Sequence, residues 1–70
     1  MEHSAQAYLQ GRSSVELAGI LQTCMLKNQW EQYAEFIPRI FEILEDRGVI
    51  PSDQIIDSWN GFLYTRQNSW

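Results

Sequence analysis

WEQYAEFIPRIFEILEDRG, residues 30–48, is the stretch on which the reading of the fold turns. Placed on a helix at 100° per residue, Trp30, Tyr33, Ala34, Phe36, Ile37, Ile40, Phe41, Ile43 and Leu44 occupy about half the circumference. Glu31, Glu35, Arg39, Glu42, Glu45 and Asp46 take the other half. A stripe of ~100° is enough to face one core, so a half-circle predicts burial against two neighbours, or against one neighbour and a separate partner. Pro38 lies inside this pattern, where it removes one backbone donor and crowds the carbonyl of Ala34. Because the apolar arc keeps its phase on both sides of Pro38, the pattern predicts one long helix over 29–47, kinked at Pro38 and curved around what it covers. Gly48 and Pro51 then end it.

On the N-terminal side, Ser13-x-x-Glu16 reads as a capping box, opening a helix at Ser13 or Ser14 that continues to about Lys27. Leu17, Ala18, Ile20, Leu21, Cys24 and Met25 share its apolar side, Lys27 suits the negative end of the dipole, and Asn28 can terminate it. Asn28-x-x-Glu31 repeats the capping logic, so the two helices are expected to form an antiparallel hairpin through a very short turn. Residues 1–12 carry a weaker pattern: Ser4 as a cap, Ala5, Tyr8 and Leu9 on one face, and Gly11 as a stop. Such a turn either docks Tyr8 and Leu9 on the body or frays.

Beyond Gly48, Ser52 caps and Asp53 favourably charges the start of a third main helix, whose Ile55, Ile56, Trp59, Phe62 and Leu63 share a face while Tyr64 points away. It is expected to fray near Arg66, leaving a loose tail with Trp70. No alternating run or hairpin-turn signal suggests a strand. The expectation is therefore an all-α single domain, residues 1–70, of three main helices with a short extra N-terminal helix as an option.

Composition limits what such a domain does. With 70 residues and one cysteine, Cys24, no intrachain disulfide is available, and His3 is the only histidine, so neither a metal nor a cofactor is expected. Net charge is −4, located mainly on residues 29–50. Five basic residues spread along the chain make a poor footprint for nucleic acid or anionic lipid, and no apolar run approaches a membrane span. No leader pattern opens the sequence, and the expected compartment is cytoplasmic. Cys24 lacks a base or cationic setting, His3 stands alone, and the carboxylates at Glu31/Glu35 and Glu42/Glu45/Asp46 fall on a solvated face. No phosphate loop, serine elbow or zinc-protease pattern occurs, so neither catalysis nor a small-molecule substrate is expected.

The aromatic set Trp30, Tyr33, Phe36, Phe41, Trp59 and Phe62 admits two readings. All six belong to the core or to a self-association surface, or Phe36, Ile40 and Ile43 form an edge outside the core that meets another chain, with Trp30 and Tyr33 contributing. The function expected from this is protein binding by a regulator, inhibitor, adaptor or export chaperone, with homodimerisation as an accompaniment. The alternatives are a self-assembling structural subunit and, against the acidic balance, a helix-turn-helix DNA binder.

Two resemblances point the same way. The order helix, tight turn, Trp-Glu, helix, Gly-x-x-Pro, helix resembles one unit of a tetratricopeptide or pentatricopeptide array plus the first helix of the next. Phe41-x-x-Leu44-x-x-x-Gly48-x-x-Pro51 keeps the spacing of the end of a pentatricopeptide unit, and LAGIL (17–21) and WNGFL (59–63) fall near its first-helix positions. The middle departs by several residues around Pro38, and one unit does not make the stack of three or more that such arrays need. The RNA binding that this resemblance implies runs against the chain's charge. LQTCMLKNQWEQYAEFIPRIFEILE (21–45) is similar to flagellar export chaperones of the FliT type, chiefly through Leu21, Trp30, Glu31 and Glu45. That resemblance implies a helical hairpin and partner binding.

Overall fold

Capping chemistry divides residues 5–67, which the computed structural model describes, into four helices: α1 (Ala5–Gln10), α2 (Ser14–Lys27), α3 (Ile37–Asp46) and α4 (Asp53–Gln67). Among the described residues there is no strand. The capping box of α2 is complete, with the Glu16 N–H donating to Ser13 Oγ at 3.1 Å and the Ser13 N–H donating to Glu16 Oε1 at 3.0 Å. Its far end turns on Asn28, which adopts the left-handed conformation (φ 53°, ψ 50°), while the Gln29 N–H reaches back to the Cys24 carbonyl at 2.8 Å.

α3 ends in a Schellman arrangement. Gly48 takes φ 76°, its N–H donates to the Glu45 carbonyl at 3.0 Å, and the Val49 N–H donates to the Leu44 carbonyl at 2.8 Å. Only glycine adopts that φ without a Cβ penalty. α4 opens where Ser52 Oγ accepts from the Ile55 N–H at 3.3 Å. The short extra helix exists as α1, whereas the proposed Ser4 cap and the tail carrying Trp70 lie outside the described residues.

The long kinked helix is corrected. Residues 29–36 are a run of tight turns, in which the Gln32, Tyr33 and Phe36 N–H groups donate three residues back to Gln29, Trp30 and Tyr33. α3 starts only at Ile37, so Pro38 sits in its first turn, where an N–H has no intrahelical acceptor and its absence costs nothing. The helix that carries Pro38 is consequently 10 residues long, shorter than α2 and α4. The very short turn expected at Asn28 is likewise a nine-residue connection, 28–36, and Asn28 caps the end of α2 without starting a helix at Gln29.

Each helix gives one side to a common core: Leu9 from α1, Leu17, Leu21 and Cys24 from α2, Ile37, Ile40, Ile43 and Leu44 from α3, and Ile55 and Trp59 from α4. Trp30 enters it from the connection, 2 % exposed, and its indole N–H donates to Ser58 Oγ at 2.8 Å. Around Trp59 the rings converge. Trp30 lies 5.3 Å away by centroid, Phe62 5.4 Å and Phe41 6.3 Å, which ties the connection and α3 to α4. Among the described residues, no helix is long and apolar enough to cross a membrane.

Candidate functional site: an apolar cleft with an aromatic rim

The tight turns that hold Trp30 inside send the next two aromatics elsewhere. Tyr33 and Phe36, three residues apart on a run bonded three residues back, lie on one side of the connection and remain 40 % and 38 % exposed. They form one wall of a cleft of about 810 Å³, within the ~300–1,000 Å³ range of ligand pockets. Facing walls come from α1, through Tyr8 and Leu9, and from α2, through Glu16, Gly19, Ile20 and Thr23. Leu9, Cys24 and Ile40 line it from within the buried core.

The charged residues of the lining, Arg12 and Glu16, lie at the α1–α2 joint. The Arg12 guanidinium lies 4.5 Å from the centroid of the Tyr8 ring, and its Nη1 is 3.5 Å from Glu16 Oε2. Both side chains are about half exposed, so the pair contributes little to stability, and the guanidinium over the Tyr8 ring adds a weak cation–π contact. Glu16 is held below its usual value, first by the Ser13 backbone N–H, which outweighs an opposing desolvation, with the Ser13 hydroxyl and Arg12 adding to the lowering. Burial pushes the Cys24 thiol upward, so it faces the cleft as a neutral apolar group. Gly19 leaves the α2 wall low: a Cβ built there meets no atom within 4 Å.

The sequence-derived contact residues separate in space. Ile40 and Ile43 are 1 % and 4 % exposed, so the expected edge of Phe36, Ile40 and Ile43 does not stand outside the core as a unit. Trp30 is also interior, joined to α4. Phe36 and Tyr33 are accessible and come together, with Ile40 beneath them in the cleft. The opposing wall combines Tyr8 and Ile20, expected from the sequence only as packing residues, with Arg12 and Gly19, which the sequence does not single out; the signal for it is Tyr8 and Arg12 at i, i+4 across a glycine, and a small residue set among the apolar positions of α2. Among the described residues, no group of three or more His, Cys, Asp or Glu is placed to hold a metal ion. No family model matches the chain, and no curated protein or solved structure matches it.

Proposed function

We propose that this protein is a non-catalytic binding module that takes an apolar segment of a protein partner into the cleft between α1, α2 and residues 30–36, working in the cytosol as a regulator, inhibitor, adaptor or export chaperone. The observation that supports this reading is the exposed aromatic rim of Tyr8, Tyr33 and Phe36 over a buried apolar floor. Aromatic side chains at the edge of a concave apolar surface supply large contact area at low entropic cost, and they dominate binding energies where they become desolvated.

Gly19→Trp tests the reading with little risk to the fold. The site is open, and tryptophan is a better helix former than glycine, so the indole fills the cleft while α2 persists. A partner isolated on the wild-type chain, then purified and titrated, is expected to lose at least tenfold in affinity for Gly19→Trp. Equal affinity for wild type and Gly19→Trp, with the variant's helicity intact, overturns the proposal. Sedimentation of the wild-type chain alone distinguishes a second copy of this chain from a different protein as the partner.

A further inference from the structure

α1 is too short to persist alone, since isolated helices below ~12–15 residues are marginal in water. Among its residues 7–10 only Leu9 is buried. What else holds it is distant in sequence. At the end of α3, Arg47 donates from Nη2 to the Gln10 carbonyl at 2.9 Å, and from Nη1 to the Arg12 carbonyl at 2.8 Å and Ser14 Oγ at 3.2 Å. The two carbonyls are acceptors at and just beyond the last turn of α1, where a helix leaves its C=O groups without partners and where a cation suits the dipole. A planar five-donor guanidinium can serve three such acceptors at once, and an ammonium on a lysine stem does so poorly.

The other side of the joint does not depend on α1. Ser13 is extended (φ −72°, ψ 160°), and the reciprocal bonds between Ser13 and Glu16 cap α2 by themselves. α2 therefore keeps its first turn when α1 leaves.

From this arrangement we infer that α1 is a separately opening wall of the cleft, hinged over Gly11–Ser13, and that the Arg47 guanidinium is its latch. The inference concerns the free chain and does not rest on what the cleft binds. Its consequence for the cleft follows from linkage: α1 carries Tyr8 and Leu9, so an occupant touching both walls favours the latched state, and the latch in turn sets how much of the chain is ready to receive it.

Amide hydrogen exchange on the full chain tests this without any partner. The Gly11 N–H, bonded to the Ala7 and Tyr8 carbonyls, and the Arg12 N–H, bonded to the Leu9 carbonyl, report on α1; the Leu21 and Cys24 amides report on the body of α2. In Arg47→Ala the first pair is expected to exchange about tenfold faster, with the second pair changed by less than about twofold; Arg47→Lys falls between. Arg47 is exposed, so Arg47→Ala keeps the core intact. Unchanged Gly11 and Arg12 exchange, absence of protection at those amides in the wild-type chain, or equal acceleration at all four positions would each overturn the latch.

Discussion

The aromatic residues of this chain lie in two regions that differ in what faces them. Around Trp59, rings from the 28–36 connection, α3 and α4 close on one another, and Trp30 completes its hydrogen bonding on Ser58. At the cleft, Tyr8, Tyr33 and Phe36 face open space of about 810 Å³. Trp30 belongs to the first region and Tyr33 to the second, although only two residues lie between them. Residue type does not distinguish stabilising from available aromatic surface; the element packed on the far side of the ring does.

The largest effect that probes this contrast is expected at Trp30. Trp30→Ala removes a fully packed indole and leaves Ser58 without its donor, at a cost of about 3–5 kcal/mol in denaturant unfolding, enough to threaten a domain of this size. Ser58→Ala, which removes the acceptor alone, is expected to cost about 1–2 kcal/mol. A cost of under about 1 kcal/mol for Trp30→Ala would mean that the ring cluster does not hold the connection to α4.

Pro38 tests the boundary between the two regions. In the first turn of α3 the proline gives up no hydrogen bond, so Pro38→Ala is expected to change stability by less than about 1 kcal/mol. A gain near 3 kcal/mol would instead show a proline sitting inside a continuous helix, with residues 30–36 helical.

This boundary is also where sequence and structure part. Caps are local, and they were legible: Ser13 with Glu16, Asn28, Gly48 and Ser52 all mark ends that the structure contains. The inward positions of α2 and α4, Leu17, Leu21, Cys24, Ile55 and Trp59, follow from 3.6-residue periodicity. The connection did not, because an apolar arc computed at 100° per residue extends unbroken through a segment that turns more tightly. Reading Pro38 as a first-turn residue would have moved the start of α3 to Ile37. The cleft was half legible: Tyr33 and Phe36 stand out in the sequence, but Tyr8 and Gly19 reach the same hollow only because α1 and α2 both dock on α3, a tertiary arrangement beyond the reach of helix periodicity.

Two glycines make a smaller, signed comparison. Gly19→Ala in α2 is expected to stabilise by about 0.5–1 kcal/mol, because the site is open and alanine is the better helix former. Gly48→Ala, at φ 76°, is expected to destabilise by roughly 1 kcal/mol. Opposite signs in parallel thermal melts support the assigned ends of the helices, and equal signs count against them.

The smallest expected effect is acidic. Because the folded chain holds Glu16 below its ordinary value of 4.5, the capping box contributes fully above that pH and weakens as pH falls through the lowered value. The Ser13 and Glu16 amide resonances should therefore shift with acidification, and Glu16→Gln should remove that dependence. A titration unaltered in Glu16→Gln would assign it to another carboxylate.

The claim that one aromatic region holds the fold and the other serves binding is tested most directly on Tyr33→Ala/Phe36→Ala, by measuring unfolding free energy and partner affinity on the same preparation. The account predicts stability within about 2 kcal/mol of wild type, and affinity reduced about a hundredfold for a partner isolated on the wild-type chain. A loss of stability comparable with that of Trp30→Ala, together with unchanged affinity, would contradict it.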